Sequence, residues 1–134
     1  LKAKAIAELL VGRSARVRLA SLRALPRLVP EAAEYVEAME ASLGDESLEI
    51  RLAAAKAILE LQPEYPKLHE ALKKWLDEGG YASRLEAVKL IQTHPEFLER
   101  YHSQLQALAK SKSERLRKAA SEALAPPKKG VKPH

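Results

Sequence analysis

Apolar residues recur along this chain at helical spacing, and the pattern itself repeats. Ile50, Ala54, Ala57, Ile58 and Leu61 fall on one face of a helix, and so do Val17, Leu22, Ala24, Leu25 and Leu28. Arg18, Arg51, Arg84 and Arg117 stand 33 residues apart each time, and each opens a similar phrase: RLASLRALPRLVP, RLAAAKAILELQP, RLEAVKLIQTHP and RKAASEALAP. A second apolar set keeps the interval: Ile6, Met39, Leu72 and Leu105, with Leu10, Leu43 and Leu76 beside it. Ser21, Ala54, Ala87 and Ala120 share one position, where short side chains let a neighbouring helix approach closely. A period of this length marks a repeat array.

Each unit predicts two helices. First helices are expected over 14–29, 46–61, 81–93 and 113–125, and second helices over 1–11, 31–43, 66–78 and 95–110, about eight in all. Pro30, Pro66 and Pro95 mark starts of second helices, because the first turn does not need the missing N–H. Gly44 and Gly79-Gly80 mark helix ends, and Ser14, Asp45 and Ser113 are the predicted N-caps. A lone hairpin cannot bury its apolar faces, so the hairpins must stack. The expectation is an all-α solenoid of antiparallel hairpins over residues 1–125, with a disordered basic tail over 126–134. Residues 1–11 read as a second helix without its first, so the array is expected to begin mid-repeat, as a piece of a longer chain.

The phrase Ile50-Arg51-x-x-Ala54-Ala55-x-Ala57-Ile58 resembles the first helix of HEAT repeats, and Val17-Arg18-x-x-Ser21-Leu22-x-Ala24-Leu25 does too. An acidic residue often precedes that arginine in the family. Asp45 before Arg51 fits, as does Glu78 before Arg84, while Gly12 and Ser111 depart from the pattern. The resemblance implies a right-handed α-solenoid, usually a protein-binding scaffold and sometimes a nucleic-acid binder. The tetratricopeptide pattern of Trp, Gly, Tyr and Pro is not matched, and an armadillo-like three-helix unit needs a longer period.

Composition narrows the function classes. The chain has 134 residues, 46% hydrophobic and 31% charged, which suits a globular domain. With aromatics at 4%, the core must be built from Leu, Ala, Ile and Val. The absence of cysteine excludes disulfides and thiolate chemistry. No signal peptide and no membrane-spanning stretch is visible, so an intracellular, cytoplasmic location away from membranes is expected. The net charge of +5 includes Lys128, Lys129 and Lys132 at the end of the chain, which leaves the rest closer to neutral.

Charge separates the helices. Residues 13–27 carry Arg13, Arg16, Arg18, Arg23 and Arg27 and no acid; the next helix carries Glu31, Glu34, Glu37 and Glu40 and no base. An interval of three drifts slowly around a helix, so the glutamates form a stripe suited to a basic partner. Arg13, Arg16, Arg23 and Arg27 are the alternative, a nucleic-acid surface. The repeated Arg18, Arg51, Arg84 and Arg117 are assigned a structural duty, bonding acidic caps and carbonyls, because a repeated residue serves the repeat. His69 and His102 also stand 33 apart, but two ligands do not make a metal site, and none is predicted. Trp75, Tyr35 and Tyr101 read as packing. No phosphate loop, His-Glu-x-x-His or serine elbow is present. The sequence therefore points to a noncatalytic scaffold or docking domain with a protein partner and no cofactor, monomeric or part of a larger chain. The alternatives are a nucleic-acid binder resembling DNA-alkylation-repeat proteins, or an accessory C-terminal domain of a multidomain enzyme.

Overall fold

Leu/Ala-rich stretches punctuated by Ser, Gly and Pro give an all-α structure. The computed structural model describes residues 2–28 and 30–125, and among these there is no strand. The α-helices are α1 (Lys2–Glu8), α2 (Ala15–Ala24), α3 (Val36–Met39), α4 (Leu48–Leu61), α5 (Pro66–Glu78), α6 (Tyr81–Gln92), α7 (His102–Leu108) and α8 (Glu114–Leu124). The tail expected over 126–134 lies outside the described residues.

The first helices of each pair follow the apolar periodicity, with one exception. α2 stops at Ala24, and Leu25–Leu28 forms a 3-10 turn instead of continuing the predicted helix. Pro26 is the cause: it has no N–H to donate, so the helical ladder that reaches Leu25 cannot continue through it. The second helices differ more. Only α5 runs unbroken over the predicted 66–78. α3 is a single turn between 3-10 segments Glu31–Tyr35 and Glu40–Gly44, and α7 follows 3-10 segments Pro95–Phe97 and Glu99–Tyr101. At both handovers a tyrosine takes the same bridge conformation: Tyr35 at φ −106°, ψ 10° and Tyr101 at φ −110°, ψ 14°. These tyrosines are repeat equivalents, and Leu68, at the position between them, sits inside the continuous α5.

The chain forms two compact units that divide within α5, one through Leu72 and one from Lys73. In the first, α2 packs on α4, and α1 lies against the Glu31–Tyr35 turn. Leu22, Leu25, Val36, Met39, Ile58 and Leu68 are buried there. In the second, α6 and α7 both pack on α8, around Val88, Ile91, Tyr101 and Leu105. Each large aliphatic side chain so buried contributes about 1.5–3 kcal/mol relative to exposure. The shared small position is buried in every repeat: Ser21, Ala54, Ala87 and Ala120. Ser21 tolerates burial because its hydroxyl donates to the Val17 carbonyl at 2.8 Å. Val17 itself departs from its predicted core position and is 38% exposed.

The caps fall into register once the structure is seen. Ser14, Ser47 and Ser113 accept from the backbone N–H of Val17, Ile50 and Leu116, at 3.3, 3.4 and 3.3 Å. Gly80 caps α6 without a side chain. Ser14, Ser47, Gly80 and Ser113 stand 33 apart, so Ser47, not Asp45, caps α4. Asp45 serves one step upstream: its Oδ2 accepts from the Ser47 N–H at 2.8 Å. The predicted glycine stops also need correction. Neither Gly44 nor Gly79 takes the left-handed backbone of the usual C-terminal cap.

Candidate functional site

The acidic stripe is built from short-period backbone. Glu31 and Glu34 lie in a 3-10 segment, where three residues complete a turn and positions i and i+3 eclipse. Glu37 follows in α3 and Glu40 opens the next 3-10 segment. The tighter winding therefore holds Glu31 and Glu34 on one face better than an α-helix would, while Glu37 follows the break in helical backbone at Tyr35. Glu31, Glu34 and Glu37 are exposed, and Glu40 is half-buried.

Glu40 differs from the other three because it has a long-range bond. The Tyr65 hydroxyl donates to Glu40 Oε1 at 2.5 Å, and Gln62 Nε2 donates to the Ala33 carbonyl at 3.0 Å. The loop between α4 and α5 is thereby fastened to the segment bearing the stripe. The bond to Glu40 comes first in holding the Tyr65 phenol up at about 12, from the usual 10, with burial and the charges of Glu40 and Glu37 adding to it. The raised value means that this bond stabilises the folded state fully below about pH 10 and is lost as pH climbs through 12. Glu40→Gln should lower the Tyr65 midpoint in an ultraviolet titration, with Tyr65→Phe identifying the signal. An unmoved midpoint would refute the assignment.

The alternative arginines occupy mixed surroundings. Arg13, Arg16, Arg23 and Arg27 are all exposed. Arg23 pairs with Glu49 at 3.2 Å, an exposed bridge worth about 0–1 kcal/mol. Arg23 and Arg27 border a groove of about 420 Å³ between α2 and α4, floored by Leu22, Leu52 and Ala57. Lys56 adds a positive charge there, while Glu49 and Glu60 interleave negative ones.

The repeated arginines grip backbone carbonyls before their own helices. Arg18 Nη1 donates to the Gly12 and Arg13 carbonyls at 2.8 and 3.0 Å. Arg51 Nη1 donates to those of Asp45 and Glu46 at 2.8 and 3.2 Å. Arg84 Nη2 reaches the Asp77 carbonyl at 2.9 Å, and Arg117 Nη1 reaches that of Ser111 at 3.0 Å. The carbonyls at or just past a helix end lack helical partners and carry partial negative charge, so a guanidinium suits them. Arg18 also reaches across to Asp45 Oδ1 at 3.4 Å.

Three of the remaining residues of interest, His69, Trp75 and Tyr101, are buried. His69 is buried, with Nε2 at 2.7 Å from the Pro63 carbonyl, whereas His102 is exposed at the start of α7. Trp75 and Tyr101 are buried, and Tyr35 is half-buried. Among the described residues no group of three His, Asp or Glu side chains could hold a metal ion, and no helix is long and apolar enough to cross a membrane. Sequence reasoning missed Ser47 and Tyr65. The 33-residue interval through Ser14 and Ser113 could have found the first; nothing in the sequence signals the Tyr65–Glu40 bond.

No family model matches the chain, and no curated protein matches it in sequence. Among solved structures, it resembles the crystal structure of an engineered protein from the Northeast Structural Genomics Consortium. The TM-score is 0.57 at 21% identity, over 91% of this chain. The match spans 60% of that protein's length, and the likeness concerns the fold alone.

Proposed function

We propose that this chain is a noncatalytic docking module, a HEAT-like right-handed solenoid of 33-residue hairpins whose acidic stripe receives a basic protein segment. The carrying observation is that Glu31, Glu34 and Glu37 are exposed at intervals of three in a stretch, residues 28–50, whose sequence has no Lys or Arg. Like charges at this spacing repel by a few tenths of a kcal/mol per pair, and an arriving Lys/Arg segment relieves that repulsion. The repeat interpretation draws support from the common caps and from the arginine contact made before each of the four first helices. The nucleic-acid alternative on Arg13, Arg16, Arg23 and Arg27 is less favoured, because Glu49 and Glu60 interrupt the positive charge that phosphates require.

The test compares the unaltered chain with a Glu31→Lys/Glu34→Lys/Glu37→Lys variant. Glu40 is left in place, because it holds Tyr65. Binding to a Lys/Arg-rich peptide should fall about tenfold or more in the variant and weaken with salt. Equal peptide binding by both chains would sink the docking role. Salt-sensitive binding of duplex DNA by both would move the function to the arginines.

A further inference from the structure

We infer that a pocket in the second unit binds a carboxylate supplied by another molecule. It has a volume of about 240 Å³ and is lined by Leu76, Asp77, Arg84, Gln104, Leu108 and Ser111, with Ala107 in the wall. The inference does not rest on the acidic stripe.

The argument compares two equivalent arginines. Arg18 holds backbone carbonyls with one end of its guanidinium and the Asp45 carboxylate with the other. Asp45 stands 27 residues after Arg18, and the residue 27 after Arg84 is Ser111. Asp45 performs two tasks, since Oδ2 takes the Ser47 N–H while Oδ1 meets Arg18. Ser111 keeps only the first, its Oγ accepting from the Ser113 N–H at 3.1 Å. Arg84 is therefore left with one bond, to the Asp77 carbonyl, and no carboxylate partner among the described residues. Its Nε is buried with no hydrogen-bond partner among those residues. The fold thus retains the arginine and lacks the acid that its equivalent engages.

The lining specifies the ligand. A guanidinium offers a planar fork matched to a carboxylate, and the Gln104 amide can add a donor. Leu76, Ala107 and Leu108 give apolar walls for a short aliphatic stem. Asp77 is exposed and shares the lining, so a dianion such as phosphate meets repulsion that a single carboxylate suffers less. Either the acidic side chain of a peptide or a small free acid has this chemistry.

The test is a nuclear magnetic resonance titration of the full chain. The probes are propionate and an end-blocked peptide with one glutamate; propionamide and the matching glutamine peptide are controls. Saturable shifts at Arg84 Nε–H and the Gln104 amide are expected with the acids alone. Ser111→Asp supplies the carboxylate from within, so it should weaken propionate about tenfold or more and raise Tm. Arg84→Lys keeps the charge, loses the fork and should also weaken binding. A peptide tighter than propionate places the ligand on a protein chain, and equal affinity places it among small acids. Absence of saturable shifts, or unchanged affinity in a folded Ser111→Asp chain, would overturn the inference.

Discussion

Leu105→Ala lowers stability by about 2–5 kcal/mol, the range for truncating a fully buried leucine. Leu105 is 0% exposed in α7, within a unit where α7 and α8 pack together. The substitution removes the transfer energy of the lost methyl groups and leaves a cavity that backbone on both sides resists closing. Ile6 occupies the equivalent repeat position in α1 but is only half-buried. Ile6→Ala should therefore fall at or below the bottom of that range. Urea unfolding of both variants decides it through their midpoints. Equal losses would show that burial does not set the hierarchy of this repeated position.

Gly79→Ala should cost about 1–3 kcal/mol, as overpacking does when nothing nearby can move aside. A Cβ at this position would lie 2.4 Å from the Trp75 carbonyl oxygen and 3.0 Å from the Ser83 Cβ. The carbonyl belongs to α5 backbone and accepts from the Gly79 N–H at 3.0 Å, so no rotamer change relieves the contact. Gly44→Ala is the contrast, since its Cβ would meet nothing within 4 Å. That substitution should be neutral or stabilise by about 0.4–1 kcal/mol, because alanine narrows the unfolded ensemble. Thermal unfolding of the pair tests this, and a harmless Gly79→Ala would show that α5 and α6 can part without cost.

The two glycines show where the sequence stopped being informative. Both read as helix stops; Gly44 closes a 3-10 segment and Gly79 follows α5, but only space distinguishes their tolerance of a side chain, and space depends on Trp75 and Ser83. The helical periodicity was legible because Leu and Ala recur at intervals that local geometry imposes. The 3-10 windings were not, since they turn on Pro26 and on the backbone conformation at Tyr35 and Tyr101. The interval of three between the glutamates is plain in the sequence. Glu40's separate duty was not, because its partner Tyr65 lies 25 residues away. Arg84's missing acid is visible in the sequence as Ser111, but it acquires meaning only beside the Arg18–Asp45 pair.

That pair also bears on how the first unit can breathe. Arg18 has two carbonyl partners five and six residues before it and one carboxylate 27 residues after it. If α2 and α4 separate, the bond from Arg18 to Asp45 and the Arg23–Glu49 pair break, and the Arg18 guanidinium is not stranded. Loosening between these layers therefore costs two exchangeable ion pairs besides the apolar packing of α2 on α4, while the corner before α2 stays formed. Amide exchange should register the difference as slow exchange at the corner and faster exchange where α2 meets α4. The arginine acts like a hinge pin fixed to one leaf, which keeps its seat while the other leaf swings.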